Sequence, residues 1–116
     1  MITRAIFLVL MLTVVQLAQG IAMRFELADP NIVTPLHIGL GVVTALMVVG
    51  LARSLRRQTH HVSADISFLL LLFMVQGIAG IFILADVETA AFIHLILSFF
   101  VVAAAANALV LSASGR

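Results

Sequence analysis

The sequence predicts an all-α membrane protein, an antiparallel four-helix transmembrane bundle built from two tandem two-helix repeats. Three observations predict it. Of 116 residues, 64% are hydrophobic and only 9% charged, more apolar surface than a soluble chain of this length can bury. Four stretches reach the roughly 20 apolar residues that cross a bilayer, and together they take up most of the chain. A block around Gln19 returns 57 positions later around Gln76, as a duplicated two-span unit would.

The first span covers about residues 6–23. Arg4 ahead of it and Ala18, Gln19 and Gly20 late in it also fit a secretory leader with its cleavage region. The segment is needed as half of the duplicated unit, however, and is therefore read as a span. A short turn carrying Arg24, Glu26, Asp29, Pro30 and Asn31 leads into the second span, about residues 32–52. A polar loop over residues 53–65 precedes the third, about residues 66–85. The very short turn Asp86, Val87 and Glu88 precedes the fourth, about residues 90–111. Turns this short make neighbouring helices antiparallel. The chain is thus one transmembrane domain, residues 1–116, with repeat 1 over about 5–53 and repeat 2 over about 65–112. Arg4, Arg53, Arg56, Arg57 and Arg116 fall on one side and Arg24 alone on the other, which puts both termini in the cytoplasm, with the bundle in the cell inner (plasma) membrane.

The same composition excludes other classes. A disordered tail, a water-soluble globule and a nucleic-acid binder each need a polar or basic surface that is missing here. All six basic residues are arginines set against five acids, so the net charge of +1 and the pI near 9.2 reflect a small imbalance rather than a basic patch. Cysteine is absent, which closes off disulfides, thiolate metal sites, iron–sulfur clusters and cysteine nucleophiles. Tryptophan and tyrosine are absent as well, leaving phenylalanine as the aromatic available at the membrane interface.

The duplication aligns Gln19-Gly20-Ile21-Ala22 with Gln76-Gly77-Ile78-Ala79, Phe25 with Phe82, Leu27-Ala28-Asp29 with Leu84-Ala85-Asp86, and His37 with His94. Apolar bias alone would give about two matches in such a window, and it explains the Gln, Asp and His pairs least. Both copies then enter the membrane in the same direction, which puts His37 and His94 at one depth. Asp29 and Asp86 are placed to cap the second helix of their copies, with Pro30 suited to a first helical position. Thr34-Pro35 is a competing start one turn later.

An ionisable side chain inside a span is costly and marks function by default. Imidazoles at one depth on the second and fourth helices can supply both axial ligands of one haem, and haem b is the cofactor expected at His37 and His94. Gly41 and Ser98 each follow a histidine by four residues, with Gly39 also beside the first. Small residues there let a flat macrocycle approach the backbone, or equally let helices pack closely without one. Arg24 at the outer edge suits the haem propionates. Gln19 and Gln76 are placed to donate to the propionates or to the second imidazole nitrogen, or else to hydrogen-bond between helices. Zinc or copper would want three or four ligands, and no further ligand-type side chain lies at that depth. Met23 and Met74 read as packing residues, His60 and His61 as part of a solvated loop facing lipid headgroups, and the phenylalanines at 92, 99 and 100, clustered around His94 where they could line a macrocycle edge, as lipid-facing or core packing.

A Gln-Gly segment late in one helix, a short outer loop and a histidine early in the next helix, all repeated once, resembles half of the haem A synthase family. Larger members of that family carry two such bundles, each with haem-ligating histidines on its second and fourth helices. The resemblance covers roughly residues 16–41 and 73–98, and it implies that His37 and His94 are haem ligands. The family's catalytic bundle is associated with a glutamate three residues before a histidine. Thr34 and Ala91 stand in those places here, so the likeness carries cofactor binding further than oxidation of a haem methyl group.

The function expected is therefore a small b-type cytochrome, passing electrons or serving as a haem-bearing subunit of a larger membrane redox complex. Its partners are the lipid bilayer, the haem, and a second copy or a larger membrane complex. A half-size haem A synthase-like enzyme acting as a dimer is the alternative, and a cofactor-free structural or assembly subunit is the next. A small multidrug exporter ranks last, because proton coupling needs an intramembrane acid.

Overall fold

A computed structural model of the chain describes residues 1–57, 62–85 and 87–114. His60, His61, Asp86 and Arg116 lie outside the described residues. The described chain is all-helical: α1 (Ile2–Arg24), α2 (Pro30–Arg57), α3 (Ser63–Leu84) and α4 (Glu88–Ser114). Each helix is long and apolar enough to cross a membrane. The molecule extends 42 Å along its longest axis, which matches a bilayer of about 40–45 Å including headgroups.

The helices begin and end where backbone groups find partners. α1 closes with a pair of bonds in which Leu27 N–H reaches Ala22 O at 2.8 Å and Glu26 N–H reaches Met23 O at 3.3 Å. This is the double bond of a Schellman cap, and it holds Glu26 in the left-handed region at φ 54°. α3 ends with the matching six-residue closure, Val87 N–H to Phe82 O at 3.1 Å. Asp29 caps α2 with Oδ1, which accepts from Asn31 N–H at 2.9 Å, so Pro30 takes the first helical position and the start at Thr34-Pro35 is not used. Pro35 lies inside α2. Four apolar stretches expected at about 20 residues are thus helices of 22 to 28 residues, because capped turns and polar ends extend each one past its apolar centre.

Each helix packs on its neighbours in the chain, and α1 closes the ring against α4. α1 and α3, and likewise α2 and α4, are the diagonals. Thr3 near the start of α1 donates to Ser112 O near the end of α4, and Asn107 of α4 donates to Asp65 in the first turn of α3. Arg56 of α2 donates to Ser67 of α3 at that same end. At the other end, Thr34 of α2 donates to Met23 Sδ of α1.

The two halves of the bundle are packed differently. Ile6, Val9, Val48, Ala52, Leu55, Val62, Ile66, Leu69, Val101, Ala105 and Ala108 form one continuous core in the half that holds the chain termini. In the other half the buried residues among those described are Ala79, Ala90 and Ser98, with Thr13 and Thr44 buried near mid-helix between the halves, and the large fully buried aliphatic side chains are elsewhere. Large apolar residues on the outer faces, such as Phe68, Leu71, Ile81 and Phe100, have the exposure expected of side chains that face lipid.

Leu55→Ala opens a cavity in the continuous core, and a loss of about 2–5 kcal/mol is expected, read as a lower melting temperature in detergent. Glu26→Gly relieves the left-handed backbone and is expected to raise stability by about 1 kcal/mol in the same measurement.

Candidate functional site

The site lies in the loosely packed half. His37 sits two turns into α2 and His94 two turns into α4, on the diagonal helices of the bundle. Both side chains point to the bundle interior, with ring centroids 6.0 Å apart and planes inclined at 64°. A residue on the lipid side of either helix could not make this contact. Among the described residues no group of three or more His, Cys, Asp or Glu side chains gathers around a point, so the chain offers a pair of ligands and no larger set.

His94 is held from three sides. Its Nδ1 lies 2.9 Å from the backbone carbonyl oxygen of Gln76 on α3. A carbonyl only accepts, so Nδ1 carries the proton and Nε2 keeps its lone pair. The Gln76 amide Nε2 donates to Ser98 Oγ at 2.7 Å, and Ser98 Oγ donates to the His94 carbonyl at 2.8 Å. Gly80 closes the third side, where a β-carbon would lie 3.4 Å from His94 Cε1.

Around His37 the same places are filled by different residues. Gly20 faces it, with a β-carbon there 3.9 Å from His37 Cε1. The ring lies within hydrogen-bonding reach of the Gln16 backbone, although the contact at Nδ1 falls short of a well-formed hydrogen bond, and the Gln16 amide Nε2 faces Gly41, 2.9 Å from where a β-carbon would be.

The sequence match at 57 pairs Gln19 with Gln76, but the structure sets Gln16 against His37 as it sets Gln76 against His94. Gly20 and Gly80, like the closures at Ala22–Leu27 and Phe82–Val87, recur at a spacing of 60. His37 and His94, or Gly41 and Ser98, recur at 57. The stretch from Gly20 to His37 is three residues longer than that from Gly80 to His94, and this absorbs the difference. Three residues of helix turn the side chain by only about 60° from its original face, so either register places a glutamine toward the interior and sequence matching does not choose between them.

The remaining expected residues are dispersed. Gln19 has its carbonyl oxygen buried without a partner, as does Gln76, and neither amide donates to an imidazole nitrogen. Arg24 is exposed in the last turn of α1, at the histidine end. Gly39 has open space around it. Met23 accepts from Thr34, while Met74, Phe92, Phe99 and Phe100 are exposed on the outer faces. A surface groove of about 480 Å³ lined by Gly50, Arg53, Ser54 and Arg57 lies at the opposite end and has no part in the pair. Gln16 and Gly80 are the site residues sequence reasoning missed. Their signal was the spacing Gln-x-x-x-Gly at 16–20 and again at 76–80, which places both residues on one helix face.

The spaces beside these glycines differ in a way that substitution reads out. Gly77→Ala adds a methyl group in open space and is expected to stabilise α3 by about 0.5–1 kcal/mol. Gly80→Ala sets the same group in van der Waals contact with His94, 3.4 Å from Cε1, so it should shift the His94 ring signals in an NMR spectrum that Gly77→Ala leaves unchanged.

No protein-family model, curated protein or solved structure matches this chain.

Proposed function

We propose that the chain is an integral-membrane b-type cytochrome that holds one haem b between His37 and His94, for electron transfer or as a haem-bearing subunit of a larger membrane redox complex. Its helices run up-down-up-down as two tandem two-helix repeats, with both termini on the cytoplasmic side of the inner membrane. The observation that carries this reading is the imidazole pair on the diagonal, 6.0 Å between centroids. Rings this close could each give a nitrogen to one iron, His37 from α2 and His94 from α4.

The surrounding residues fit the group. His94 has the arrangement a ligating histidine adopts, with one nitrogen tied to a backbone carbonyl and the other left with its lone pair. Two side-chain ligands are too few for zinc but complete the coordination of an iron whose other positions come from a macrocycle. The buried residues of this half are small, side chains that would let a flat macrocycle approach the backbone. Arg24, exposed at the same end, offers a cation to the propionates. Bound haem supplies reversible one-electron exchange. The chain's part is to orient two imidazoles, to keep the site within an apolar shell and to fix its depth. Thr34 and Ala91, one turn before the histidines, carry no acid or base, so nothing at those positions supports the oxygen chemistry of the haem A synthase likeness.

Visible absorption spectra of the protein purified from cells supplied with ample haem test this reading. Low-spin bands that sharpen on reduction are expected in the wild type and are expected to be absent from both His37→Ala and His94→Ala. A colourless wild type would leave the cofactor-free structural subunit in its place. The orientation is tested separately in this cysteine-free chain: Ser114→Cys should react with an impermeant thiol reagent from the cytoplasmic face, and Asn31→Cys from the outer face.

A further inference from the structure

The end of the bundle away from the histidines carries a feature of its own. α2 leaves its apolar stretch at Arg53 and ends at Arg57. Gly50, Arg53, Ser54 and Arg57 line a groove of about 480 Å³ there, within the roughly 300–1,000 Å³ usual for ligand sites. Residues at these spacings share one helix face. That face continues toward the middle of the membrane through Val43 and Leu46, both exposed. The surface is therefore apolar at the depth of hydrocarbon and cationic at the depth of headgroups.

Among the described residues no acid lines the groove. Asp65, in the first turn of α3 at this end, accepts from Asn107 of α4, and Glu26, Asp29 and Glu88 stand at the opposite end of the bundle. Arg56 is turned onto Ser67 of α3, so Arg53 and Arg57 are the arginines that face the groove. They are four residues apart, about 6 Å along the helix axis, close enough for both guanidiniums to reach one phosphate. Gly50 lies one turn before Arg53. A β-carbon there would meet nothing within 4 Å, so helix packing does not require glycine at this position, and a side chain would project into the groove instead.

We propose that this groove binds an anionic phospholipid, with the lipid phosphate between Arg53 and Arg57 and an acyl chain along Val43 and Leu46. Guanidinium matches phosphate oxygens in geometry as well as charge, and basic side chains at headgroup depth attract anionic lipid. A free phosphate ion would use the arginines alone. The apolar continuation of the face and the gap at Gly50, which leaves room for the glycerol backbone, select a lipid. The site is at the far end of the bundle from the imidazoles and does not depend on the cofactor reading.

Native mass spectrometry of the full chain in detergent, titrated with phosphatidylglycerol or with phosphatidylcholine of the same acyl chains, tests the proposal. Phosphatidylglycerol should bind about tenfold more tightly. Arg53→Gln and Arg57→Gln should each weaken that binding about fivefold, while Arg56→Gln, which removes the same charge outside the groove, should leave it nearly unchanged. Gly50→Leu keeps every charge but fills the groove, and should also weaken it. Equal affinity for the two lipids, equal losses in the three arginine variants, or unaltered binding in Gly50→Leu would overturn the proposal. So would loss of the bound lipid to inorganic phosphate but not to chloride at the same ionic strength, which would assign the groove to the free ion. Should Gly50→Leu fail to fold, the arginine series still decides.

Discussion

In hydrocarbon there is no water to receive a backbone amide or carbonyl, so each must be satisfied within the chain. The rest of the molecule follows from that constraint. It makes every apolar stretch a helix and presses the connections toward the membrane surface. It also accounts for the attention paid to helix ends. Glu26 accepts a left-handed backbone so that Leu27 and Glu26 N–H can close the last turn of α1, and Asp29 turns its carboxylate back onto Asn31. The same constraint governs polar side chains inside the bundle. Thr44 donates to Leu40 O and Ser98 to His94 O within their own helices, while His94 uses a carbonyl of the neighbouring helix.

Against this background the two halves divide the work. The half with the termini is filled by branched aliphatic side chains and carries the packing that holds the four helices together. The histidine half has glycine, alanine and serine at interior positions and a pair of imidazoles on the diagonal. Buried acceptors at Gln19 and Gln76 without partners belong to the same half. A histidine pair with small neighbours, orphaned polar atoms and no third ligand is the arrangement from which the haem reading was drawn.

Much of this was legible in the residues. The number and approximate extent of the helices follow from apolar length alone, since a bilayer has a fixed thickness. Asp29 and Pro30 declared the start of α2 because capping chemistry is local. His37 and His94 stood out because an imidazole in an apolar span is costly wherever it points. The glutamines were less readable. Gln19 and Gln76 match in sequence, but which turn of α1 faces His37 depends on how the longer first connection is taken up, and that is a property of the folded backbone. Asp86, the expected counterpart of Asp29, lies outside the described residues, and α4 starts at Glu88.

The sequence by itself determined the medium, the helix count and which side chains are chemically out of place, because those depend on composition, length and near neighbours in the chain. Tertiary structure alone decided that the imidazoles meet on the α2–α4 diagonal, and that Gln16 rather than Gln19 accompanies His37 as Gln76 accompanies His94. These depend on the rotation and height of each helix against its neighbours, set by side-chain packing summed over the bundle, which no local pattern encodes.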